Sequence, residues 1–102
     1  MARAVIWSPA SLSDIDAIGA YIERDSVVYA RRVIQRIFQA AEGASSMPRL
    51  ARVVPELNDD AVREVFVHSY RLVYRIAGDS IEVAAVIHQS RLFENAVGSR
   101  AI

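Results

Sequence analysis

Three side chains in the second half of the chain have the types and spacing for anion chemistry: Arg71, His88 and Arg91. A guanidinium offers a planar fork of donors that fits phosphate or carboxylate, and an imidazole can carry a proton near neutral pH. Strand register is what brings them together. Tyr70 to Ile76 and Ile81 to His88 are apolar, β-prone runs joined through Gly78-Asp79, a loop with glycine first, as a type II′ hairpin turn prefers. Pairing across that loop sets Tyr74 opposite Val83, Leu72 opposite Ala85 and Ile76 opposite Ile81, all on the core face. Arg71, Val73 and Arg75 then fall on the other face, with Arg71 opposite Val86 and His88 beside it, and Arg91 just beyond. If His68-Ser69 is a turn, the other neighbour of Arg71 is Phe66, so it has no carboxylate partner within the sheet. Arg75 faces Glu82, and its plainer reading is a cross-strand ion pair. For His88 alone the plainer reading is a structural hydrogen bond at a strand end. Tyr70, Tyr74 and Trp7 read as packing residues.

Other chemistry is excluded by what is missing. There is no glycine-rich phosphate loop and no nucleophile elbow. With two histidines twenty residues apart and no cysteine, a metal site is not expected, nor is a disulfide, and no cofactor is implied. The carboxylates show no glycosidase-type pairing. All twelve basic residues are arginine, balanced by twelve acidic ones to a formal net charge of zero. Proteins that grip nucleic acid through phosphates usually carry a basic excess, so strong nucleic-acid binding by this chain alone is not expected. Charge segregated by face can still make a local patch. Nothing in the residues alone demands an enzyme.

The elements that position these residues follow from periodicity. A chain of 102 residues, 53% hydrophobic and 24% charged, is expected to form one domain spanning 1–102. No apolar run is long enough to span a membrane. The N-terminal residues lack a signal-peptide pattern, so the cytoplasm is the expected location. Ala4 to Trp7 reads as a strand ended by Ser8-Pro9, with Ser8 capping a helix that has proline first. Leu12, Ile15, Ile18 and Ile22 mark that helix's buried stripe. Gly19 lets a neighbour pack closely. Asp25-Ser26 breaks the helix and caps a second one, whose stripe is Ala30, Val33, Ile34, Ile37, Phe38 and Ala41. Gly43 and Ala44-Ser45-Ser46 are expected to end it before Pro48. Strands follow at Arg63–Val67, Tyr70–Ile76 and Ile81–His88, and Arg52-Val53-Val54 can add a short edge strand confined by Pro55. The fold class is therefore α+β: an N-terminal strand, a two-helix hairpin, then a three- to four-stranded antiparallel sheet. Residues 94–102 show no pattern and read as a loose tail.

These elements carry a resemblance. Arg63-Glu64, then Tyr70-Arg71-Leu72-Val73-Tyr74, then an apolar strand ending in His88-Gln89-Ser90-Arg91, resembles the signature of the RelE/ParE toxin superfamily. Trp7-Ser8-Pro9-Ala10, Tyr21-Ile22, Ala30-Arg31, Met47-Pro48 and Val54-Pro55-Glu56 agree with it, over about residues 4 to 93. The resemblance implies the toxin of a type II toxin–antitoxin pair, with a cognate antitoxin (ParD-like or similar) whose C-terminal segment folds on the toxin. The helical-hairpin groove and an exposed strand edge are the implied docking site.

The superfamily has two branches. RelE-like members resemble ribosome-dependent mRNA endonucleases; ParE-like members are associated with inhibition of DNA gyrase, growth arrest and plasmid stabilisation. Sparse basic residues between Leu50 and Asn58, the absence of a tyrosine after Arg91, the neutral net charge and the His88-x-x-Arg91 pattern favour the ParE-like branch. In that reading the chain acts by binding, with Arg52, Arg71, Arg75, His88, Arg91 and Phe93 as candidate contacts to gyrase or antitoxin. In the ribonuclease reading Arg63, Arg71 and Arg91, with Arg52, would stabilise phosphate charge and His88 would shuttle a proton. The third reading is a non-toxic, antitoxin-binding or autoregulatory member.

Overall fold

Ser8 does two things at once: it ends the first strand and accepts from the Ser11 N–H at 3.0 Å, capping the helix that Pro9 opens. In a computed structural model, which describes residues 2–102, the order is β1 (Ala4–Trp7), α1 (Pro9–Glu23), α2 (Val27–Ser46), β2 (Arg52–Val53), β3 (Val62–Val67), β4 (Tyr70–Ala77), β5 (Ser80–His88) and α3 (Phe93–Val97). Ser26 caps α2 through the Tyr29 N–H. Helix α2 runs past Gly43 to Ser46, further than expected. A lone glycine weakens a helix without ending it. The stop comes at Met47, which the following Pro48 forces out of the helical region. A Cβ at Gly19 would stand 2.8 Å from the Ile34 side chain, so this glycine does let α2 approach α1.

The expected layout holds, with one addition. Strands β5, β4, β3 and β2 are antiparallel neighbours, and β1 joins the outer edge of β5 in parallel, giving a five-stranded mixed sheet in the order β1-β5-β4-β3-β2. Helices α1 and α2 cover one face, burying Ile15, Ile18, Val33 and Ile37 against Leu72, Tyr74, Val83 and Val86. Leu12, expected in the buried stripe, is largely exposed. The buried Tyr74 hydroxyl donates to the Pro48 carbonyl at 2.6 Å, tying the end of the helical layer to the sheet. Among the described residues no helix is long and apolar enough to cross a membrane.

The opposite face is also covered. Val54, Val62, Val73, Ala85 and Ile87 pack against Phe93, Ala96 and Val97 of α3, so the segment expected to be a loose tail closes a second core. Beyond α3, the Arg100 guanidinium grips Asp14 with two bonds of 2.7 Å.

One irregularity reshapes the site. The β4–β5 register follows the hairpin turn from Ala77↔Ser80 to Tyr74↔Val83, then jumps to Val73↔Ala85, leaving Ala84 as an extra residue. Such a bulge flips every later side chain to the other face. Leu72 therefore pairs with Val86, not Ala85, and Arg71 with Ile87, not Val86; Ala85 moves off the helical face. The Asp14 carboxylate stabilises the irregular stretch, accepting from the Val86 N–H at 3.0 Å while it holds Arg100.

Replacing Asp14 by alanine leaves both the Val86 N–H and Arg100 without their acceptor. Urea unfolding of Asp14→Ala should show a loss of about 1–3 kcal/mol; a loss no larger than that of the exposed neighbour Ser13→Ala would refute this role.

Candidate functional site

The chemistry expected at Arg71 is decided by a carboxylate two positions along the neighbouring strand. Arg71 pairs in register with Phe66, and Glu64 lies diagonally across on the same face of β3. The Glu64 side chain is completely buried, with one oxygen accepting from Arg71 Nε and the other from Arg52 Nε at 2.6 Å. The loop after Pro55 brings in Glu56, whose two oxygens take Arg71 Nη1 at 2.8 Å and Nη2 at 2.6 Å. Two aromatic rings flank the row: Phe93 lies 5.2 Å from the Arg71 guanidinium and Phe66 lies 5.0 Å from that of Arg52. Arg71 is therefore not the free guanidinium that the sheet register suggested. It is buried, and its bonds to Glu56 and Glu64 raise its pKa, while the bond from Arg71 holds the Glu56 carboxyl below its ordinary value.

The other candidates are distributed differently than expected. Arg63 is buried on the helical side, donating to the carbonyls of Asp60, Arg49 and Ala51 at 2.8, 2.8 and 2.9 Å and to the Asp60 carboxylate. It fastens the β2 loop. Arg75 stands opposite Glu82 in register but bonds instead to Asp59 at 3.1 Å and to the Ile102 carbonyl. Phe93 is buried beneath Arg71 and is no surface contact.

His88 does not lie beside Arg71. The bulge carries it to the α1 side, where it pairs with Tyr70 edge-to-face at 5.3 Å. Its Nδ1 accepts from the Ser90 N–H at 3.1 Å, the strand-end hydrogen bond that the plainer reading foresaw. Arg91 is exposed near it and among the described residues makes no ion pair. The expected cluster is thus split: Arg71 with Arg52 on the α3 side, His88 with Arg91 on the α1 side. Sequence reasoning missed Glu56 and Glu64; the diagonal neighbour of Arg71 was the available signal for Glu64.

Removing one member of the buried row strands another. Glu64→Ala should cost about 3–5 kcal/mol in chemical denaturation, and Glu64→Leu combined with Arg71→Met should recover much of it. The Glu56 pKa is lowered by folding, so its contribution is complete above the unfolded value near 4.5 and disappears as pH falls through the lower folded one. Thermal melts across pH 7 to 3 should show a shallower acid decline for Glu56→Gln than for the unsubstituted chain.

Comparison with known proteins agrees with this architecture. Residues 5–93 match the family described as ParE toxin of type II toxin-antitoxin system, parDE. The chain is 32% identical over 88 residues to Y4kP of Sinorhizobium fredii, a protein named as a toxin, covering 84% of this chain and 88% of that one. It is 29% identical over 89 residues to toxin RelE2 of Caulobacter vibrioides, covering 86% and 97%. Among solved structures, the chromosomal ParDE toxin–antitoxin system of P. aeruginosa superposes with a TM-score of 0.69 at 17% identity, covering 84% of this chain and 95% of that one. Strand, helical hairpin, sheet and family match together place this chain in the ParE toxin family of the RelE/ParE superfamily, the toxins of type II toxin–antitoxin systems.

Proposed function

We propose that this toxin acts in the cytoplasm as ParE-like proteins do, by binding DNA gyrase and arresting growth, without cleaving RNA itself. One observation carries the reading: Arg63 and Arg71 have their donors engaged by the chain's own carbonyls and carboxylates. Stabilising the charge of phosphoryl transfer requires donors aimed at the reacting oxygens and unoccupied before substrate arrives. An RNA-cleaving site built on these arginines would have to break both the Arg71 row that joins β2, β3, β4 and α3 and the Arg63 bonds that fasten the β2 loop. The balanced charge points the same way.

The same reading includes a cognate antitoxin in a toxin–antitoxin hetero-oligomer. Exposed apolar residues at the helical hairpin, Tyr21, Val27, Val28 and Tyr29, suit a partner that folds on contact. Strand β2 pairs only with Arg63 and Glu64, so the edge of β3 from Val65 to Val67 lies beyond its cover and suits an added strand.

Purified toxin should be assayed on gyrase supercoiling and, in parallel, on translating ribosomes with mRNA. The expected outcome is loss of supercoiling or trapped cleaved DNA with mRNA intact. Site-specific mRNA cleavage abolished by Arg71→Ala or His88→Ala would overturn the proposal. Silence in both assays with tight antitoxin binding would replace it with the non-toxic reading.

A further inference from the structure

Three of the four tyrosines and both histidines lie near the end of the β4–β5 pair, with Tyr70 and His88 on the sheet face opposite the Arg71 row. Tyr70 packs edge-on to His88, Tyr29 packs edge-on to His68 at 5.9 Å, and Tyr21 lines the same cleft as Tyr70. Between α1 and the end of β5 this gathering opens into a cleft of about 510 Å³, within the range of about 300–1,000 Å³ for small-molecule sites. Its apolar lining comes from Ala17, Ile18 and Val86, and Tyr21, Tyr70, His88 and Arg91 also line it.

Each polar lining group offers a distinct contact. Tyr21 is 67% exposed and lines the cleft, so its ring is accessible to a stacked partner, with the Arg24 guanidinium 5.9 Å from its centroid. Among the described residues Arg91 has no carboxylate partner, and the one acid lining the cleft, Asp14, is paired with Arg100. His88 Nδ1 lies 2.7 Å from the Ser90 hydroxyl and 3.1 Å from the Ser90 N–H; in the tautomer whose Nδ1 accepts both, Nε2 carries the hydrogen and is the donor an anion can meet. A planar ring against tyrosines, an apolar lining and an anion beside a free guanidinium and an imidazole N–H are the requirements of one nucleotide. Stacking of this kind tolerates any base.

We propose that this cleft binds a single unstacked nucleotide, its base against Tyr21 and Tyr70 and its phosphate at Arg91 and His88. The site does not rest on the gyrase reading, but it shares Tyr21 with the surface proposed for the antitoxin, so nucleotide and antitoxin would compete for that residue. With few phosphates engaged, affinity is modest and the salt dependence shallow, a log–log slope of about −0.7 per phosphate contacted on a single strand. The chain's zero net charge is compatible with such a site.

The test is an NMR titration of the full chain with thymidine and uridine monophosphates and with short single-stranded oligo-dT and oligo-U. Saturable shifts at His88, Ser90 and Arg91 are expected from at least one probe. The pattern among probes identifies whether the source is free nucleotide, DNA or RNA. Tyr21→Ala and Arg91→Ala should each weaken binding about tenfold, Tyr21→Phe should retain it, and Arg36→Ala, outside the cleft, should leave it unchanged. No saturable shift with any probe, or binding that persists in a folded Tyr21→Ala/Arg91→Ala double variant, would overturn the proposal.

Discussion

A carboxylate with no exposed surface, Glu64, is the constraint on which the sheet's second face depends. An ionised carboxyl cannot be taken out of water without partners for both oxygens. Here each oxygen has an arginine, one from β2 and one from β4, so β3 is clamped to the neighbours on either side. Arg71 in turn requires Glu56, which fixes the loop after Pro55, and lies against Phe93, which begins α3. A single buried charge thereby determines the position of four separate pieces of chain.

Much of the scaffold was legible because it rests on local chemistry. Ser8 and Ser26 announced both caps, Gly78-Asp79 announced the hairpin, and the alternation of β4 separated Arg71 and Arg75 from Tyr70 and Tyr74. The candidate site was less legible. The bulge at Ala84 has no sequence mark, since Ala84 and Ala85 are small enough for either face, yet it moved His88 away from Arg71. Five residues of α3 are too few to show a helical period, and only the apolar surface of Val73, Ala85 and Ile87 explains why they fold back. The partner of Arg71 is hidden from direct register because a long side chain reaches diagonally, past Phe66 to Glu64.

The balanced formula of twelve arginines and twelve acids conceals an uneven surface. The acids of the loop before β3, Asp59 and Asp60, are engaged by Arg75, Arg49 and Arg63, and Asp14 is engaged by Arg100. Arg31, Arg32 and Arg36, on the solvent side of α2, have no such partners among the described residues. Neutrality of the whole chain is thus compatible with a cationic helical face, and the arginines divide into those that hold the fold and those left to meet something else.

The parallel pairing of β1 with β5 has a consequence for how the protein comes into being. Residues 4–7 find their partners at residues 80–83, and Asp14 finds Arg100, so the sheet edge and the bulge are closed by contacts between distant parts of the chain. Contacts of such sequence separation form late and slow folding. While the chain is being synthesised, β1 and the apolar stripes of both helices have emerged long before β5 exists to receive them. The molecule therefore acquires its native surfaces only after nearly all of its sequence has left the ribosome, and a growing chain spends that interval without the face by which a finished toxin would recognise its target.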